Sequence, residues 1–548
     1  MGMSARRPFV FFGGSMGLLA AQHYCSRTTP VESPPPAKAT TGNGVLVVTT
    51  HCAYLATTQD EDDESCKHDT FAAMVHVKAP TVVGDDEARR TPLDLVAVVD
   101  ISASMSPKLE EAKRAMALVV DGLGPRDRLS IVAFSDVARR VLPLTRMSED
   151  GKATAKLAVE SLVAGDGSTT ETTNIRAGLD EAAKLARRRR RDTTDTTKKT
   201  DYYSDLVPRH LVSDGELRHT PVHTFAFGSD HDEAALHGIS SATRGTFTFV
   251  GNNHHAPSSS SNLQDALARC VGGLRSVTAR DVSIEVEGDH LDLTITAVKS
   301  GAYKNEVNDD EGASVSVGEL YADEERRFVF FLDAPRDEDE DDEADVSDYV
   351  GNRLIAVRCS YRDVATEQDI SVEAHDEYMD KLTSTEVEKE RHRVEAADDV
   401  ALAYAAAERG DFAEAARILA ARREKVTSSA AAVAGDVACE ALAAELDELR
   451  RRAAEEGEYR RTGRASLLAS MSAHAQQRGS AMFATPAMRK MEELWEMRRR
   501  REAAPATAPA PMKNAPPRRS RLEARLAAAA PRISMLRRFR RLAPFIKR

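Results

Sequence analysis

The run LDLVAVVD, residues 93–100, sets the tightest limit on what this chain can fold into. Apart from Asp94 and the terminal Asp100 it is apolar on both alternating faces, which suits a strand covered by helices on both sides of a parallel sheet. The next segments agree with a layered α/β arrangement. PKLEEAKRAMALVVDGL repeats Leu109, Ala112, Met116 and Val119 at helical spacing, with Pro107 at a tolerated first-turn position. DRLSIVAFS, RHLVSDG, PVHTFAFG and GTFTFV read as further strands. EDGKATAKLAVESL, TNIRAGLDEAAKLARR, HDEAALHGISSAT and NLQDALARCVGGLRSV read as helices. Strands alternating with helices over 92–277 predict a doubly wound, mostly parallel α/β sheet of Rossmann-like kind.

The flanks differ. GVLVVTTHCAYLA and TFAAMVHVKAP, within 44–80, read as two strands joined by an acidic loop. Over 279–375, RDVSIEVEG, LDLTITAV, RRFVFFLDAP, NRLIAVRCSYRD and QDISVEA alternate apolar and polar residues, as half-buried antiparallel strands do. RDEDEDDEADVSD among them reads as a solvated excursion, without the spacing or central glycine of an EF-hand. Residues 384–497 are helical in pattern, with a Gly-Asp-x-x-x-Ala junction at Gly410 resembling that of tetratricopeptide helices. Residues 1–43 read as a disordered leader and 498–548 as a disordered, basic low-complexity tail.

At 548 residues, two or three domains are expected. The net charge of −12 conceals an asymmetry: from Arg498 onward there are 16 Lys and Arg against two acids, leaving about −26 on the rest. An acidic body argues against specific nucleic-acid binding. RISMLRRFRRLAPFIKR places Ile533, Leu536 and Phe539 among arginines, an outline suited to an anionic membrane or a partner groove, with disorder as the other reading. Six scattered cysteines without a Cys-x-x-Cys pair argue against a zinc module or a disulfide scaffold, and fit reduced thiols in the cytoplasm. SARRPFVFFGGSMGLLAAQ has the outline of a secretory signal, interrupted by Gly13, Gly14 and Ser15.

The chemistry lies at a strand end. In an open parallel sheet ligands bind at the carboxyl edge. Asp100 stands there, with Ser102 and Ser104 following at alternate positions. A carboxylate and two hydroxyls are hard oxygen donors suited to Mg²⁺ or Mn²⁺. The competing reading makes Ser104 or Ser106 the N-cap of the next helix. Two more oxygen donors fall where other strand edges are expected, Thr173 and Asp214.

Taken in order, VAVVDISASM, TTNIRAGLDEA, LVSDGE and PVHTFAFG resemble a von Willebrand factor type A domain spanning about 92–273. The resemblance implies a metal-ion-dependent adhesion site. Ser102, Ser104 and Thr173 would give hydroxyls to the metal, and Asp100 and Asp214 would act largely through bound water. An acidic side chain on a protein partner would complete the shell. The layout as a whole, including YRRTGRASLLASMSAHAQQRGSA, resembles plant proteins of this kind, many of them RING-finger ubiquitin ligases and others similar to inter-alpha-trypsin inhibitor heavy chains. In that group the flanking strands would form one β-sandwich into which the metal-binding domain is inserted.

The chain departs from the pattern in having no Cys/His cluster near its start, and in having too few residues between Val212 and Val222 for a helical crossover, which needs about a dozen. Either the rim is remodelled or the coding sequence has lost a piece. Thr169, Thr170 and Thr172 stand beside Thr173 as alternative donors. With no Gly-x-Ser-x-Gly elbow and no phosphate loop, the expectation is a binding or scaffold protein rather than an enzyme. The alternative is a RING-less adaptor, or a partner of a RING-bearing paralogue, in ubiquitin ligation. His210, His219 and His223 near the Asp214 strand are the candidates for a ligand or base if a catalytic reading holds.

Overall fold

A computed structural model describes residues 3–5, 9–12, 17–26, 44–59, 67–81, 90–165, 173–190, 221–228, 231–251, 263–288, 293–308, 312–336, 354–375 and 384–503. Met1–Glu496 makes one compact unit. Met497 begins a second, of which only residues 497–503 are described.

The first strands are β1 (Met3–Ala5), β2 (Phe9–Phe12) and β3 (Gly17–Ser26). Next come β4 (Val47–Gln59) and β5 (Lys67–Lys78). The α/β segment runs β6 (Leu93–Asp100), α1 (Leu109–Gly122), β7 (Arg128–Phe134), β8 (Ala138–Arg146), α2 (Glu149–Glu160) and α3 (Ile175–Arg190). It continues with β9 (Val222–Phe227), α4 (Glu233–Ala242), β10 (Phe247–Val250) and α5 (Leu263–Leu274).

Period-two alternation sorts β6 between two cores. Leu93, Leu95, Ala97 and Val99 pack with Ala112, Met116 and Val119 of α1 and Leu267 and Val271 of α5. Val96 and Val98 face the other way, onto Leu179 and Ala182 of α3 and Leu236 and Ile239 of α4. All eight residues of β6 are buried, as a strand covered on both faces requires. The sheet is doubly wound and its pairing is mixed, in the order β10-β9-β2-β3-β6-β7-β8. β6 runs parallel to β7 and β9 parallel to β10. The backbone of β2 and β3, in the leader expected to be disordered, lies between β9 and β6. The strand expected from RHLVSDG lies outside the described residues. β8 is an edge strand that the sequence pattern does not reveal, masked by charges and Pro143.

After the α/β segment come β11 (Val277–Gly288), β12 (Thr294–Lys299), β13 (Lys304–Asn308), β14 (Gly312–Tyr321), β15 (Glu325–Arg336), β16 (Ile355–Asp363) and β17 (Asp369–His375). They form two antiparallel sheets, β13-β14-β11-β16-β17 and β12-β15-β5-β4. One core is shared by the two sheets, with Phe71, Val75, Phe328 and Phe330 against Ile284, Val315, Val357 and Cys359. Because β4 and β5 precede the α/β segment and β12 and β15 come after it, that segment is inserted between strands of one sheet.

The helical region comprises α6 (Thr385–Glu408), α7 (Phe412–Thr427), α8 (Val437–Ala453), α9 (Arg464–Gln476) and α10 (Pro486–Ala503). The Gly-Asp junction at Gly410 has a second copy at Gly435. The two glycines take left-handed φ of 84° and 81°, and Asp411 and Asp436 then cap α7 and α8. α8 ends at Ala453, and the chain re-enters helix through a π-turn at Tyr459–Gly463. Trp495 of α10 is 2% exposed within the same core as α1 and α5. A Cβ placed on Gly122 of α1 would meet its ring at 3.3 Å.

The helical region is also fastened to the sheets by buried charge. Arg478 donates to both oxygens of Glu324 at 2.6 Å, and Arg326 donates to the same carboxylate at 2.6 Å. Arg478 lies 3.9 Å over the Tyr321 ring. Beside it, the Gln477 side chain bonds the Arg327 backbone N–H at 3.0 Å and C=O at 2.7 Å, in place of a neighbouring strand.

Candidate functional site

β6 delivers Asp100, fully buried, to the carboxyl edge of the sheet beside Phe134 of β7. The chain then turns sharply. Ile101 N–H donates to Phe134 O at 2.8 Å, and the Ser102 N–H folds back onto Asp100 Oδ1 at 2.7 Å. A short 3₁₀ turn, Ala103–Met105, leads toward α1. Ser102 is 3% exposed, Ser104 is exposed, and their hydroxyl oxygens lie 3.0 Å apart.

The capping alternative is not realised. α1 begins after Lys108, whose side chain makes no capping bond, and the 3₁₀ turn has no side-chain cap either. The two hydroxyls face each other beside the carboxylate instead of serving the helix.

Two loops close around this turn. Gly165 N–H donates to Ile101 O at 2.7 Å, bringing in the segment after α2. Asn174 N–H donates to Ser135 O at 2.7 Å, while its own Oδ1 caps α3 through Ala177 N–H at 3.0 Å. Thr173, half-buried, is therefore held at the end of β7, the strand next to Asp100. Asp214, Thr169, Thr170, Thr172, His210 and His219 lie outside the described residues.

The donor set fits a small hard cation. Adjacent ligands of an octahedral Mg²⁺ with bonds of about 2.1 Å stand about 3.0 Å apart, and the serine oxygens have that spacing. Among the described residues no three His, Cys, Asp or Glu side chains gather as a metal cluster, so any ion here would rest mainly on hydroxyls.

Two other buried groups are structural. Asp127 sits at the opposite end of the sheet and is fully engaged, by Leu93 N–H at 2.8 Å, Gly124 N–H at 2.7 Å and Arg90 at 2.7 and 2.9 Å. His223 is buried in β9, its Nδ1 accepting from Thr246 N–H at 3.2 Å. Burial, and then the Arg478 charge, pushes its pKa down to about 3, so it stays neutral and is poorly suited to act as a base exchanging protons with solvent.

Comparison with known proteins bears on the α/β segment and on the helical region. The von Willebrand factor type A domain family model matches residues 93–249, and the model described as VWA / Hh protein intein-like matches 436–495. The E3 ubiquitin-protein ligase WAV3 of Arabidopsis thaliana is 32% identical over 292 residues, covering 49% of this chain and 36% of that protein. The probable E3 ubiquitin-protein ligase WAVH2 of the same plant is 27% identical, covering 70% of this chain and 52% of that protein. The chain thus spans about a third to a half of the length of these relatives. A solved von Willebrand factor type A protein from Catenulispora acidiphila is 16% identical, with a TM-score of 0.47 over 78% of this chain and 98% of its own. The expectation that the chain is not an enzyme is corrected by these names, since both plant relatives are named ubiquitin-protein ligases.

Proposed function

Residues 93–249 form a von Willebrand factor type A domain related to that of plant ubiquitin ligases, and from that premise we propose that the chain recognises protein partners through a divalent cation at the Asp100 turn. Ser102, Ser104 and Thr173 would hold the ion directly, and Asp100 and Asp214 would hold its waters. Mg²⁺ or Mn²⁺ bound there supplies an electrophilic centre for an acidic side chain of the partner. The chain's own residues do the positioning. Asp100 accepts the Ser102 N–H and so fixes the turn, while the bond from Gly165 to Ile101 keeps the neighbouring loop against it. The observation that carries this reading is the pair of serine hydroxyls at 3.0 Å beside a buried carboxylate, with neither serine capping a helix.

The recognised partner would belong to ubiquitin ligation, with this chain in the ligase assembly or alongside a RING-bearing paralogue. The names of the Arabidopsis relatives support that placement. Calorimetric titration of the full chain with Mg²⁺ and with Mn²⁺ tests the site. One binding event is expected, and it should vanish in the Asp100→Ala, Ser102→Ala double variant. Identical heats for the two proteins would refute it.

A further inference from the structure

A second place in the molecule collects unused polar groups, where the α/β segment, the β14 sheet and the helical region meet. A cavity of about 20 Å³ lies there, room for a single atom of water or halide size. β9 brings His223 to its wall, α5 brings Arg269 and Cys270, β14 brings Tyr321, and the loop after α9 brings Arg478. Two guanidiniums and an imidazole line it, and no described carboxylate does.

Its donors are not all used. Arg269 is 7% exposed and donates through Nη1 to Glu492, yet among the described residues its buried Nε–H finds no acceptor. His223 is 3% exposed. Its Nδ1 accepts from Thr246 N–H at 3.2 Å, which leaves the proton of the neutral ring on Nε2. That buried N–H also finds no acceptor among the described residues. Buried donors are normally met, so two on the wall of one small cavity call for a shared acceptor inside it.

Charge decides what the acceptor is. Arg478 and Arg326 share the single carboxylate of Glu324, so that triad keeps one positive charge in excess. The carboxylates of Glu319 and Glu492 nearby are taken by Arg280 and Arg269. A water could accept from both N–H groups but would leave the buried charge unmatched. A monovalent anion meets the donors and the charge together.

We infer that this cavity is a halide site. The anion accepts from Arg269 Nε–H and His223 Nε2–H, lies in the field of Arg478, and braces the helical region against the two sheets. Its size admits chloride or bromide and excludes sulfate and phosphate. The site is built from other residues than the Asp100 turn and needs no cation there.

The test uses the full chain, purified free of halide, with unfolding followed through Trp495. It is heated at about pH 7.5, where His223 is neutral, in potassium gluconate, chloride or bromide, each at an ionic strength of about 0.1 M. Gluconate is too large for the cavity. Cys270→Met, which fills the cavity without changing charge, shows the general effect of each salt. Relative to gluconate, chloride and bromide should raise the unfolding temperature of the wild type by about 2 °C more than that of the variant, as expected for a native-state site at about ten times its Kd. Crystals soaked in bromide should show a bromine anomalous peak between Arg269 and His223, lost in Cys270→Met. Should that variant not fold, Arg269→Lys replaces it, keeping the charge and removing the Nε–H. An equal response of wild type and folded variant to the halides would overturn the inference. So would a water in the cavity with no bromine peak. A bromine peak without the stability difference would mean an adventitious ion only, and would overturn it as well.

Discussion

Replacing Glu324 by Gln perturbs the join between the helical region and the sheets at its most charged point. Glu324 is 1% exposed, Arg326 is fully buried, and Arg478 is 12% exposed. Neutralising the carboxylate leaves two guanidiniums facing each other with only dipolar partners: Tyr303 Oη at 2.8 Å and Gln477 O at 3.1 Å for Arg326, and Glu319 O at 2.7 Å for Arg478. Breaking one partner of a buried ion pair costs about 3–5 kcal/mol. Gln keeps one acceptor oxygen, so the lower end, about 3 kcal/mol, is expected. Trp495 is the sole tryptophan and is buried against α1, so its fluorescence reports this region directly. The urea midpoint should fall clearly with the m-value unchanged. Arg327→Gln is the control. Its pair with Glu325 is about one-third exposed on both sides, and its loss should cost under about 1 kcal/mol. If Glu324→Gln and Arg327→Gln moved the midpoint equally, the buried triad would not be what fastens the region.

The same carboxylate carries a pH dependence. Burial raises the Glu324 carboxyl, but Arg326 and Arg478 outweigh that and hold it below its ordinary 4.5. Its stabilisation is therefore present above that value and lost as pH falls through the lower folded value, an acid limb that Glu324→Gln should flatten in Trp495-detected unfolding. His223 acts at higher pH. With its folded pKa near 3 against 6.5 when unfolded, stability should fall by about 1.4 kcal/mol per pH unit below 6.5. His223→Gln should remove that slope, and an unchanged slope in urea unfolding between pH 6.5 and 4.5 would contradict the assignment. Gly122→Leu should displace Trp495, shifting its emission to the red. An unshifted spectrum would mean that the α1–α10 contact is not tight.

The parts of the fold carried by unbroken local patterns were legible. The two-sided burial of Leu93–Asp100 comes from its apolar run, and α1 from the spacing of Leu109, Ala112, Met116 and Val119. Asp100, Ser102 and Ser104 stand within five residues, so their meeting is a local consequence of one turn. β8 was hidden because Arg139, Arg140 and Pro143 interrupt its apolar residues, and only Leu142 of the strand is buried, as an edge position allows. The Glu324–Arg326–Arg478 cluster could not be read, because its cations lie about 150 residues apart and no periodicity links them. The enzyme expectation rested on motifs alone, and the relatives' names corrected it.

Crystals of the full chain grown with Mn²⁺ and measured for anomalous scattering locate any ion at the Asp100 turn. One strong anomalous peak is expected about 2.2 Å from both Ser102 Oγ and Ser104 Oγ, with Thr173 Oγ1 in the same shell. A map with that turn ordered and no peak between the two hydroxyls, at saturating Mn²⁺, would contradict it.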